Sequence, residues 1–180
     1  MADQCTAFVL PIAKHDFCAP EINFGRIDKI YFASDGASSA FTDFSDLAEW
    51  TARLDNVDVA DVTKIRFLGV IGNKPLPENT EISYSLGRTT FTTNKHTLAV
   101  RVDETHDDNY ALVKWLEANK GQVLRVWYAS AKYLYGGNEG ILATLSLNDF
   151  IPEGDTELNE FQGSVLWEGD TPDRTLNILS

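Results

Sequence analysis

The stretch His96-Thr97-Leu98-Ala99-Val100-Arg101-Val102-Asp103 alternates strictly, with Leu98, Val100 and Val102 on one side and Thr97, Ala99, Arg101 and Asp103 on the other. Successive side chains of an extended chain point to opposite faces, so this pattern builds a strand with one face on a core and one toward solvent. Gln122 to Ser130 repeats the rhythm with heavier residues: Leu124, Val126 and Tyr128 share one face, Val123, Arg125 and Trp127 the other. Bulk on both sides predicts a strand that contacts protein on both faces. Lys64 to Ile71, Glu81 to Leu86, Gly140 to Leu147 and Phe161 to Glu168 read as further strands, and Ile27 to Phe32 and Thr6 to Leu10 bring the total to about eight.

Two segments break this rhythm with helical spacing. Phe44, Leu47, Ala48, Thr51 and Leu54 recur every three or four residues, among Asp43, Asp46 and Glu49, whose charges suit a helix N-terminus. Asp107-Asp108-Asn109 precedes Tyr110, Leu112, Val113, Leu116 and Ala118, and Asn119-Lys120-Gly121 stops that helix with a basic side chain and a glycine. Between two strand patterns, Tyr133-Leu134-Tyr135-Gly136-Gly137-Asn138-Glu139-Gly140 reads as a β-hairpin with a short glycine-bearing loop, so the strands before and after it should pair antiparallel. Residues 72–80 and 148–160 read as long polar loops carrying proline. With no internal repeat and no Ser/Gly-rich linker, residues 1–180 read as one mainly β (α+β) domain, an antiparallel β-sandwich or barrel-like fold with one or two flanking short helices.

Composition bounds the function. The chain has 180 residues, 43% hydrophobic and 23% charged, which is enough apolar material for a single core and excludes a disordered chain. Fifteen Lys and Arg stand against 27 Asp and Glu, a net charge of −12 that opposes sequence-specific DNA binding by electrostatic repulsion. Met1-Ala2-Asp3-Gln4-Cys5 has no basic cluster and Pro11 interrupts the apolar run after it, so no export signal is expected. No apolar stretch approaches the roughly 20 residues that span a bilayer. Cys5 and Cys18 read as two thiols in a reducing compartment, with a disulfide between them as the alternative.

The residues of chemistry are few. His15, His96 and His106 fall in no metal-ligand spacing, and His106 among Asp103, Glu104, Asp107 and Asp108 reads as helix capping and solvation before metal or acid–base work. No phosphate-binding glycine loop or nucleophile elbow occurs. Trp50, Trp115, Trp127 and Trp167 sit inside strand or helix patterns and read as packing before sugar binding. The expectation is therefore no catalytic residue, no cofactor and no metal. One regional bias stands out: Lys132 and Arg174 bracket a stretch without Lys or Arg that holds Glu139, Asp149, Glu153, Asp155, Glu157, Glu160, Glu168, Asp170 and Asp173.

From His96 onward the order is strand, acidic turn, helix, strand, glycine turn, strand, polar loop and the closing strand Phe161-Gln162-Gly163-Ser164-Val165-Leu166-Trp167-Glu168-Gly169. This order resembles the tail tube (major tail) proteins of bacteriophages, over roughly the last 85 residues by the same pattern. The resemblance implies a non-enzymatic virion protein made in the host cytoplasm. Its β-sandwich subunits would form six-membered rings that stack into a tube and meet other tail proteins. DNA would pass through an acidic lumen without specific binding, and no membrane would be involved. The loops at 72–80 and 148–160 and the chain ends would supply contacts between copies. Other virion roles, as a head-to-tail connector or capsid decoration protein, and a carbohydrate- or cell-surface-binding β-sandwich module are the alternatives.

Overall fold

The computed structural model describes residues 25–35, 40–55, 63–79, 93–154 and 158–179, and 81–84 and 88–91 as backbone. The alternating segment forms β5 (Lys95–Val102), with Leu98, Val100 and Val102 almost wholly buried and Ala99 and Arg101 outside. It lies between β2 (Arg66–Asn73) and β9 (Glu160–Glu168). Beyond β9 come β8 (Ile141–Phe150) and β6 (Val123–Ser130), and β1 (Ile27–Ser34) pairs with both β6 and β2. Six strands in the order β1-β2-β5-β9-β8-β6 thus close into an antiparallel barrel, the mainly β architecture that the periodicity predicts.

The pairing of β1 carries a local fault. Ile27 and Lys29 face Ser130 and Ala129, so Asp28 is an extra residue on β1. This bulge lets Ile27 and Ile30, three apart in sequence, both join the interior cluster. At the crossing of β9 with β8, a Cβ on Gly163 would stand 1.8 Å from the Ser146 carbonyl oxygen. The glycine of the closing strand is thus required by backbone contact.

The helix α2 (Asp107–Ala118) joins β5 to β6 and lays Val113 and Leu116 on the interior cluster beside β8. It ends at the stop signal that the sequence shows, with Asn119 as the C-cap and Gly121 at φ 83°. The shorter α1 (Leu47–Arg53) begins at Asp46, whose carboxylate accepts the Ala48 N–H at 2.9 Å. Glu49 accepts the backbone N–H groups of Thr42 and Asp43 and binds Arg53 at 2.8 Å.

Three features lay outside the sequence reading. Tyr133–Tyr135 is a strand, β7, which folds back on β6, and Arg174–Leu176 is a further strand, β10, on its edge. The expected strand at Glu81 to Leu86 is β3 (Glu81–Tyr84), paired with β4 (Arg88–Phe91) in a separate two-stranded sheet. With these, the described residues hold ten strands against the eight expected. The polar loop expected at 148–160 is shorter, because β8 runs on to Phe150 opposite Glu160, and the loop at 72–80 begins after Asn73. The candidate strand Thr6 to Leu10 and both cysteines lie outside the described residues.

Gly163→Ala should lower stability by about 3 kcal/mol, whereas Gly69→Ala, with nothing near its Cβ, should change it by less than about 0.5 kcal/mol, both read from urea midpoints. Burial raises the Glu49 carboxyl, but the Asp43 and Thr42 N–H groups and Arg53 together outweigh it and hold it below its usual value. A lowered carboxyl stabilises the fold above its unfolded pKa, and that contribution disappears as pH falls through the folded value. Glu49→Gln should therefore be less stable than the native chain at pH 7, with the difference shrinking toward about pH 3 in paired denaturant melts.

Candidate functional surface

Among the described residues, one flank of the barrel exterior is covered by a second apolar core and the other is not. On β6, Trp127 and Ala129 point out of the barrel while Leu124, Val126 and Tyr128 point in, so both faces are buried as the sequence predicts. The outward residues join Tyr31, Ala33, Phe41, Trp50, Ile65 and Leu134 in a second core, with Ile178 and Leu179 of the C-terminal segment against it. Trp50 meets Trp127 edge-on, their centroids 5.7 Å apart. Burial in this core pushes the Tyr31 hydroxyl up to about 12.

The glycine stretch wraps Trp127. Its indole N–H donates to the Gly137 carbonyl at 2.8 Å, and a Cβ on Gly136 or Gly140 would stand 2.3 or 2.7 Å from the indole ring. Both glycines have positive φ. The turn reading therefore holds with a specific cause: β6 and β8 pair antiparallel, and the glycines leave room for a tryptophan. Arg125 ties this turn to the end of β1, with Glu139 at 3.1 Å and Asp35 at 3.5 Å.

Across the barrel, no second core of described residues covers the outward faces of β5, β9 and β8. Their outward residues form two rows, Thr97–Leu166–Thr144 and Ala99–Ser164–Ser146, placed side by side by the pairing. Leu142 stands next to Thr144 along β8, and Leu142 and Leu166 are 52% and 45% exposed. The ion pairs Lys95–Glu168 and Arg101–Glu160 border this band, which carries no charge of its own. The sequence shows each residue of the band as the polar half of an alternation; only pairing makes them one surface.

The two described histidines do not converge. His96 is buried at the start of β5, its Nε2 3.0 Å from the Gly169 carbonyl oxygen and its ring stacked on Trp167. His106 is exposed beyond the other end of β5, 4.0 Å from Asp108, and precedes α2 without a side-chain cap. No side chain caps the helix N–H groups there; Asn109 donates its side-chain amide to the Glu104 carbonyl and so ties the first turn to the segment before it. His15 lies outside the described residues. Among the described residues no group of three His, Cys, Asp or Glu side chains is placed to hold a metal, and no helix is long and apolar enough to cross a membrane.

A shallow cleft of about 370 Å³ lies where Gly136 and Gly140 face Trp167 to Asp173. Its lining offers the carboxyls of Glu168, Asp170 and Asp173 and the Thr171 hydroxyl, with no imidazole, amine or thiol to activate that hydroxyl. The acidic stretch between Lys132 and Arg174 is not one surface. Asp149 and Glu153 stand at the α2 end of the barrel, Glu168, Asp170 and Asp173 toward the opposite end, and Asp155 and Glu157 lie outside the described residues. Folding divides the bias because β8 and β9 run the full height of the barrel.

Of the four tryptophans, Trp50 and Trp127 pack in the second core and Trp167 in the barrel, as expected, but Trp115 is 46% exposed on α2. The sequence cannot distinguish it, since α2 turns Val113 and Leu116 to the barrel and leaves Trp115 beside that stripe. No family model, curated protein or solved structure matches this chain.

Acrylamide should quench Trp115 far more than the other three indoles, and Trp115→Phe should remove most of the quenchable fluorescence while leaving the melting temperature within about 2 °C.

Proposed function

We propose that this chain is a non-enzymatic structural subunit of a phage tail tube, which joins copies of itself into rings and stacks and conducts DNA without binding it. The observation that carries the reading is the uncharged band on β5, β9 and β8, uncovered among the described residues, with Leu166 within it and Leu142 at its border. The equivalent face of β1 and β6 is roofed by a second core, so the barrel itself has no need of a bare flank. In a chain of net charge −12, two copies repel over most of their surface, and an uncharged band is where they approach at least electrostatic cost. Small flat side chains such as Thr97, Ala99, Ser146 and Ser164 suit close contact between two sheets.

The strand order from β5 to β9, with α2 between β5 and β6, supports the same reading through the resemblance of that order to tail tube proteins. Net negative charge supports the conducting role, since a wall of like charge repels phosphate and lets DNA slide. The apolar barrel interior is filled by side chains, so any DNA path lies between copies and not through one barrel. A sugar-binding module is the second reading, favoured by the exposed indole of Trp115.

Negative-stain microscopy and light scattering of the purified protein test the proposal. Rings or tubes should form as concentration rises, and Leu142→Asp with Leu166→Asp should hold the chain at its 20.0 kDa monomer mass with unchanged circular dichroism. A native chain that stays monomeric at every concentration overturns the proposal, and a glycan-dependent change in Trp115 fluorescence would then bring the second reading forward.

A further inference from the structure

The strand β8 outruns its partner on one side. It pairs with β9 from Thr144 to Phe150, but with β6 only from Ile141 to Thr144, because β6 begins at Val123 opposite Thr144. Among the described residues, no main chain is hydrogen-bonded to the β6 side of Leu145 to Phe150. Six extended residues span about 20 Å. In an antiparallel pair every second residue turns its N–H and C=O away from the partner, so this edge presents a row of main-chain groups without a strand to bond them. The stretch Leu145-Ser146-Leu147-Asn148-Asp149-Phe150 has no lysine, no proline and no shift of register, the devices that blunt a free edge.

The helix α2 lies along this edge in place of a strand. Its first turn stands beside Asp149, since Tyr110 approaches Phe161, ring centroids 6.4 Å apart, and Phe161 pairs with Asp149. Its other end comes to Thr144. There a groove of about 220 Å³ opens between Leu116, Glu117, Lys120 and Gly121 on the helix side and Thr144 to Asn148 on the strand side. A groove walled by a helix and an open strand edge is the geometry in which an extended peptide adds as one more strand.

The two ends of this edge differ in charge. Toward Thr144, Lys114 and Lys120 stand against Glu117, all exposed. Toward Phe150 stand the exposed carboxylates of Asp107, Asp108, Asp149 and Glu153, of which only Asp108 has an ion-pair partner among the described residues, the imidazole of His106.

We infer that this groove takes an extended peptide of another protein, added antiparallel to β8 along Leu145 to Phe150, with a basic residue toward its N-terminal end and an acidic one toward its C-terminal end. Antiparallel addition continues the line of β6 and brings the peptide's N-terminal end to Asp149 and its C-terminal end to Lys120. Main-chain hydrogen bonds supply the affinity, and the two charged ends fix the direction. The inference does not depend on the self-assembling reading above, because it concerns the edge of β8 and not the outward face of the barrel.

A yeast-displayed library of random seven-residue peptides, sorted against the dilute full chain, supplies the probe. The best binder is then made as a free peptide, and again with one N-methyl group at each position in turn. Methylation at every second position should weaken binding at least about tenfold and at the positions between them far less, because only alternate N–H groups face β8. By NMR, every second amide from Leu145 to Phe150 should exchange rapidly in the free chain and at least about tenfold more slowly with the peptide bound. Lys120→Glu and Asp149→Lys, both at exposed positions, should each weaken the peptide about fivefold or more with unchanged circular dichroism.

A library that yields no binder overturns the inference. So does a binder whose methylation scan shows no alternation, whose binding leaves the amides of this edge unchanged, or which is indifferent to both substitutions. Edge amides already slow in the dilute free chain overturn it as well, since the chain would then cover its own edge. If they slow only as the concentration of the chain rises without peptide, the occupant is a second copy and the inference fails. A native chain that stays monomeric removes the self-assembling reading and leaves this one standing.

Discussion

Everything in this molecule hangs on β6 being buried on both faces. Its inward residues Leu124, Val126 and Tyr128 belong to the barrel, and its outward Trp127 is fully buried in the second core. The same strand pairs with β1, β8 and β7, so it closes the barrel and carries the β7–β10 extension. Removing the Trp127 side chain would withdraw an apolar contact worth about 3–5 kcal/mol and leave the Gly137 carbonyl without its donor. The glycines at 136 and 140 follow from that one indole, and so does the position of Asn138, which binds Thr42 and Phe44 in the approach to α1.

This arrangement makes the exterior one-sided. The apolar residues of α1, the segment before it and the C-terminal segment are spent on covering β1 and β6. The outward faces of β5, β9 and β8 are left with threonine, serine, alanine and two exposed leucines. The six barrel strands close on one another, each with a neighbour on both sides, whereas β10 keeps an outer edge beyond β7. The uncharged band on β5, β9 and β8 and the acidic α2 end are therefore surfaces of different chemistry.

Charge acts at a second level. The net charge of −12 is a property of composition, but its effect depends on where pairing cancels it. Glu139, Glu160 and Glu168 are neutralised locally by Arg125, Arg101 and Lys95. Asp103, Glu104, Asp149 and Glu153 have no such partner among the described residues, and it is these that give the α2 end its character.

Local pattern determined much of this protein. The alternation in β5 and β6, the two helices and the glycine turn are written in residue order because strand and helix periods are properties of neighbouring residues. Nothing local announces that β7 and β10 exist, because three residues such as Tyr133-Leu134-Tyr135 become a strand only when β6 offers them a partner. The extra residue at Asp28 in the β1–β6 pairing is a bulge that the sequence does not mark. The candidate surfaces were the least legible part. Thr97, Ser164 and Thr144 are distant in sequence and ordinary one by one, and the acidic stretch read as one region is carried to opposite ends by strands that run the height of the barrel. Residue order sets which way each side chain faces along its own strand; only pairing between distant strands decides which side chains stand together.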